Sequence, residues 1–182
     1  VRLCESIELP VLSYNSPSYL AGVKMSSELI ERLVCKLPNF IGVKEASFNS
    51  ETFIEISRVA LKLNPDFAML TGVEFLLPSV PLGGVGCYSA AGSICPNLCL
   101  QLYKSCISGE WEEARILQNK VTRIWHLFKD QYPSSLKGGM VIMGRPVGPT
   151  RSPLPTADAE RCKYIQSELE DLGILESEPY GW

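Results

Sequence analysis

Apolar positions along the first half of the chain alternate between two periods. Leu9-Pro10-Val11-Leu12-Ser13-Tyr14 is a short apolar run that predicts a strand. Asn15-Ser16-Pro17-Ser18 follows, rich in turn formers. From Ser27 to Leu37 the spacing is helical, with Leu29, Ile30, Leu33 and Val34 on one face and Ser26 or Ser27 as N-cap. Phe40 to Lys44 predicts a second strand, buried and partly β-branched, with Gly42 where something must pack close. A helix follows from about Ser50 to Leu63, carrying Phe53, Ile54, Ile56 and Val59, and Asn64-Pro65-Asp66 ends it. The third strand is Phe67 to Thr71. A short helix from Glu74 to Val80 leads to Gly83-Gly84, and Val85 to Ser89 is the fourth strand.

This rhythm implies βαβ units and a parallel sheet. After Ser89 the pattern turns helical: about Pro96 to Ser108, Glu110 to Lys129, Ser134 to Met143 and Ala157 to Leu172. Gly109 separates the first two, and Gly173 lies just past the last. Pro146, Pro149, Pro153 and Pro155 mark a loop between Gly144 and Thr156, expected to lie across the surface. Four strand–helix units cannot close a barrel, which needs eight. An open doubly wound sheet would bring a glycine-rich phosphate loop, and neither G-x-G-x-x-G nor a P-loop occurs. Gly83-Gly84-Val85-Gly86 leads into a strand and reads as a tight turn. The expected fold is therefore α/β: the C-terminal half of a (β/α)8 TIM barrel, about four parallel strands, plus a C-terminal helical extension. Residues 1–95 would be the half barrel, and 96–182 the last barrel helix and the extension. A half barrel exposes two strand edges and an apolar interior.

Composition narrows the class. The 182 residues suffice for one domain of ordinary size, and 46% hydrophobic with 20% charged is typical of a soluble globular protein. A net charge of −3, with signs interspersed, lacks the basic patch that nucleic acid requires. No apolar run approaches the roughly 18 residues of a membrane helix. Val1-Arg2-Leu3-Cys4-Glu5 shows neither an initiator Met nor a signal-peptide pattern, so the chain reads as processed, trimmed or a fragment. The seven cysteines, at 4, 35, 87, 95, 99, 106 and 162, form no Cys-x-x-Cys pair. An odd set fits reduced thiols in a cytosol-like compartment, so a cytoplasmic location is expected. Cys95, Cys99 and Cys106 share a helical face. With His126 the only histidine, small buried side chains are favoured over soft metal ligands, and no metal is expected.

In a β/α barrel, chemistry collects at the C-terminal strand ends. Those ends carry Tyr14, Lys44, Thr71 with Gly72, and Ser89. A lysine ending a buried strand has little water around its amine. Desolvation favours the neutral form, a nucleophile toward carbonyl carbon. The competing role for Lys44 is an ion pair with Glu45, or snorkelling to solvent. A phenol such as Tyr14 can pass a proton, or it can pack on the core with its hydroxyl wet. An amine and a phenol side by side suit imine chemistry on a 2-oxo acid, where a neighbouring bond breaks or forms through an enamine. Lys24 and Lys137 lack a buried strand end. Glu110, Glu112, Glu113 and Arg115 read as a solvated face. Trp111 and Trp125 are expected in core packing, and His126 in a structural role.

Tyr14-Asn15-Ser16-Pro17, Gly42-Val43-Lys44-Glu45-Ala46-Ser47, Gly83-Gly84-Val85-Gly86 and Gly144-Arg145-Pro146 stand in a familiar order and spacing. They resemble the class I aldolase/lyase superfamily of dihydrodipicolinate synthase, N-acetylneuraminate lyase and 2-keto-3-deoxysugar-acid aldolases, from about Ile7 to about Leu172. The resemblance implies a barrel with extra C-terminal helices, Lys44 as Schiff-base lysine and Tyr14 as proton relay. It places the Tyr88 main-chain carbonyl beside the lysine; from their place at the strand ends, the small residues Thr71, Gly72 and Ser89 are expected to leave room for substrate and contact it. It implies a pyruvate-like 2-oxo acid as partner, no metal or organic cofactor, and a homotetramer or dimer at full length. The superfamily's Gly-x-x-Gly-Glu carboxylate loop and a second relay tyrosine lie upstream of this chain. Tyr19 stands where dihydrodipicolinate synthases carry an arginine, and a phenol cannot replace a bidentate guanidinium. Gly72-Val73-Glu74-Phe75 keeps one carboxylate of the neuraminate lyases' pair, although Gly22-Val23-Lys24-Met25 looks like their loop. A sugar-acid or hydroxy-oxo-acid lyase is therefore expected, with Glu74, Ser93 and Tyr19 lining the distal pocket or serving as loop and cap residues. The alternatives are a dihydrodipicolinate synthase-like condensation, or a truncated member that only binds a 2-oxo acid or assembles with partners.

Overall fold

The computed structural model describes residues 1–18, 22–72 and 74–182. Val1–Tyr88 and Ser89–Trp182 form two compact units. The division falls ahead of the boundary expected at residue 95. Ala91–Ser93 is a 3-10 turn packed on the helices of the second unit, and the Ser93 and Ile94 carbonyls accept hydrogen bonds from Arg145.

In the first unit, β1 (Val11–Asn15), β2 (Phe40–Glu45), β3 (Ala68–Thr71) and β4 (Gly84–Cys87) form one sheet in the order β1-β2-β3-β4. Every pair is parallel. Parallel neighbours need crossovers. These are α2 (Ser27–Lys36), α3 (Ser50–Leu63), and α4 (Leu76–Ser79) with the 3-10 turn Val80–Leu82. Ser26 Oγ accepts from Leu29 N and Asn49 Oδ1 from Thr52 N, which caps α2 and α3. β1 starts at Val11 rather than Leu9, because Pro10 has no N–H to give a ladder. β4 stops at Cys87 rather than Ser89, because Ser89 Oγ accepts from Gly92 N and opens the next turn. A helix α1 (Arg2–Ser6) precedes the sheet and was not expected. It buries no residue and so leaves no apolar period in the sequence. The Asn39 amide holds it in place by donating to the carbonyls of Cys4, Ile7 and Leu9.

Alternation along the strands sorts the two faces. Val43 and Met69 point to the helices and join Ile30, Phe53, Ile56 and Ala60 in the core, where Phe40 and Phe67 meet edge to face at 5.5 Å. Each such large side chain contributes about 1.5–3 kcal/mol by its burial. The other face carries the rows Leu12–Gly42–Ala68 and Tyr14–Lys44–Leu70. Gly42 sits in a close approach: a Cβ there would lie 2.6 Å from the Ala68 carbonyl oxygen.

The second unit holds α5 (Pro96–Ser108), α6 (Trp111–Lys129), α7 (Ser134–Ile142), α8 (Ala159–Asp171) and α9 (Ile174–Ser177). Leu102, Val121, Ile124, Phe128, Ile165 and Leu169 are fully buried, and Cys95, Cys99 and Cys106 lie among them. Gly109 closes α5 in the left-handed region at φ 73°. Trp111 corrects an expectation: as the first residue of α6 it lies 48% exposed, not in the core. Trp125 is partly buried, its ring 6.0 Å from that of Tyr132, while His126 faces solvent. Arg145 is buried and donates to the carbonyls of Ser93, Ile94, Pro179 and Gly181. The Glu178 carboxylate accepts from Asn97 N at 2.9 Å and Leu98 N at 2.8 Å, satisfying the head of α5. No described helix is long and apolar enough to cross a membrane.

Candidate active site

Tyr14 and Lys44 are register partners on β1 and β2. Because their strands are parallel, both side chains leave the same face at the same, C-terminal end of the sheet. The Lys44 Nζ lies 3.9 Å from the centroid of the Tyr14 ring and 5.0 Å from that of Tyr88. Tyr14 is 44% and Tyr88 54% exposed, so the two rings flank the amine while leaving it an approach from solvent. A cation over an exposed ring face is stabilised by about 0.5–1 kcal/mol. The amine thus sits over the aromatic faces. The sequence pointed to the phenol of Tyr14 and the carbonyl of Tyr88, but not to the Tyr88 ring as a second wall. Only the strand register reveals it: Gly86 stands beside Leu70 in the Lys44 row, and Tyr88 follows it by one period of the strand.

Lys44 does not pair with Glu45. The next register pair, Asn15 and Glu45, points to the opposite, helix-covered face. There Asn15 Nδ2 donates to Glu45 Oε1 at 3.0 Å, and Ser47 N donates to the same oxygen at 2.9 Å. Asn15 Oδ1 accepts from Met25 N at 3.1 Å, which draws the segment before α2 onto the strand end. Burial raises the Glu45 carboxyl pKa, and the hydrogen bonds from Ser47 and Asn15 oppose that rise. Alternation across Tyr14-Asn15 and Lys44-Glu45 would have paired Asn15 with Glu45, though neither was singled out as a site residue.

The other expected site residues are distributed differently. Thr71 is buried opposite Glu45, and its carbonyl accepts from Tyr88 N at 3.1 Å. Its side chain therefore leaves the face away from Lys44. Gly72 N donates to the Glu45 carbonyl at 2.8 Å, and a Cβ on Gly72 would lie 2.0 Å from that of Ala46. Glu74 is 2% exposed, a buried residue rather than a wet loop carboxylate. Ser89 and Ser93 belong to the second unit and serve its first turn; Ser93 Oγ donates to the Ala90 carbonyl at 2.7 Å. Tyr19 lies outside the described residues. Lys24 is exposed, and Lys137 Nζ donates to the Gly148 carbonyl at 2.8 Å. Among the described residues, no group of three or more His, Cys, Asp or Glu side chains could hold a metal ion.

A parallel sheet with helices on one face, and a lysine near the end of an inner strand, defines part of a (β/α)8 barrel. The chain belongs to the Dihydrodipicolinate synthetase family, whose sequence profile matches residues 2–172. It is 32% identical over 175 residues to the 4-hydroxy-tetrahydrodipicolinate synthase of Archaeoglobus fulgidus, covering 95% of this chain and 59% of that protein. Its identity to the same-named protein of Chlorobium phaeobacteroides is 33% over 177 residues, covering 96% and 58%. Among solved structures it matches a prophage protein of the dihydrodipicolinic acid synthase family from E. coli K12, in complex with pyruvate. There the TM-score is 0.87 at 25% identity, over 95% of this chain and 59% of that one. The chain therefore spans less than two thirds of the length of these relatives. Their names turn against the sugar-acid expectation drawn from Tyr19 and Phe75, and favour the dihydrodipicolinate synthase-like alternative.

Proposed function

We propose that this chain carries the imine-forming part of a pyruvate-condensing lyase of the dihydrodipicolinate synthase type. The observation that carries the reading is the Lys44 amine held over the Tyr14 ring at the strand end. The neutral amine adds to C2 of a 2-oxo acid, and the carbinolamine loses water to give an imine. Loss of a C3 proton then yields an enamine, which attacks an electrophilic carbon of the second substrate. Tyr14 is the proton carrier for dehydration and for the C3 step. The flanking rings of Tyr14 and Tyr88 support the cationic iminium that forms between them. Family likeness supports self-association of the whole protein, which light scattering tests.

The decisive experiment treats the protein with pyruvate and borohydride and maps the adduct by mass spectrometry. One reduced pyruvate on Lys44, lost in Lys44→Ala, is the expected result. No adduct, or one spread over many lysines, overturns the proposal and leaves a member that only binds or assembles.

A further inference from the structure

A cavity of about 300 Å³ opens on the helix-covered side of the sheet, between the β2–α3 and β3–α4 connections. Phe48, Phe53, Phe75 and Leu82 form its walls, and Glu45 and Thr71 reach it from the strand ends. Lys44 leaves the other face of β2, so this cavity is separate from the site described above.

Three observations point to a ligand. The first is charge. Among the described residues lining the cavity, Glu45 alone is ionisable. Its hydrogen bonds come from Asn15 and Ser47, both neutral. A carboxylate 5% exposed and without a cationic partner is poorly compensated. The start of α3 supplies only a partial positive charge against this full negative one, so the net sign favours a cation. The second is shape. Phe48 and Phe75 meet edge to face at 5.8 Å and 89°, presenting flat apolar surface. The third is strain. Phe48 has φ 59°, a left-handed backbone that favours glycine, and its ring is half exposed. A bulky side chain kept in such a conformation is a pointer to function.

We propose that this cavity binds a small aromatic or alkyl ammonium ion, with the Glu45 carboxylate as counter-ion and the Phe48–Phe75 pair as its apolar wall. The cavity lies within the usual range for small-molecule sites, and one charged group among apolar walls is their usual make-up.

Phenethylamine is the probe, titrated into the protein by calorimetry and by NMR of the aromatic resonances. Phenylacetate and 2-phenylethanol are the anionic and neutral controls of similar size. Saturable binding of phenethylamine is expected, at least about tenfold tighter than either control and weakened by about tenfold or more in Glu45→Gln. Phe48→Gly suits the left-handed backbone, so a melting temperature no lower than that of the wild type is expected, and loss of amine binding in that folded variant also supports the site. Equal affinity for all three probes, preference for phenylacetate, or unchanged amine binding in Phe48→Gly overturns the proposal.

Discussion

Replacing Asn15 by Ala tests how the two motif strands are held in register. The side chain is 1% exposed and serves both neighbours: its amide donates to buried Glu45 Oε1, and its oxygen accepts from Met25 N. A hydrogen bond to a charged group contributes about 1.5–3 kcal/mol net, whereas the half-exposed Met25 amide can turn to water for about 0.5 kcal/mol. Asn15→Ala should therefore cost about 2–3 kcal/mol. With a urea slope of about 2 kcal/mol/M, the unfolding midpoint falls by about 1–1.5 M at neutral pH, with the slope unchanged. The loss should shrink by about half in a Glu45→Gln background, because a neutral amide oxygen accepts a weaker hydrogen bond than a carboxylate. A midpoint shift below about 0.2 M, or equal shifts in both backgrounds, would refute the latch.

Three further outcomes follow from the same geometry. Burial raises the Glu45 carboxyl pKa above its usual 4.5, so folding takes up a proton there. Its contribution to stability is full below that pH and is lost as pH rises through the folded value. Glu45→Gln should accordingly gain on the wild type as pH climbs from about 4.5 in matched urea melts, and a flat difference would contradict this. Arg145→Lys replaces a planar fork serving four carbonyls by one ammonium. It should cost about 2–4 kcal/mol and lower the calorimetric melting temperature, whereas a silent exchange would deny the fork its role. Tyr14→Phe keeps a ring under Lys44 but removes the proton carrier. Pyruvate–borohydride trapping should slow by about 10²–10⁴, and an unchanged rate would free Tyr14 of its relay role.

The strand–helix rhythm was legible because each apolar run is short and ends in turn residues, as at Asn64-Pro65-Asp66. Helices with an apolar stripe, such as Ser50–Leu63, fell where their period placed them. Helix α1 did not, since Arg2–Ser6 buries nothing and is held by a side chain from residue 39. At the site, Tyr14 and Lys44 could be read from strand ends alone. The Tyr88 ring could not, because a register shift between Met69 and Leu70 resets β4 against β3. Thr71 was read as facing substrate from its place at a strand end. One residue of alternation decides the face, and the pairing with Glu45 sends it the other way.

The tail after α9 ties the second unit shut. Cutting the chain ahead of Glu178 would strip α5 of its carboxylate cap and leave Arg145 without the Pro179 and Gly181 carbonyls. Exopeptidase trimming should thus be tolerated at Trp182 and abruptly disruptive a few residues later.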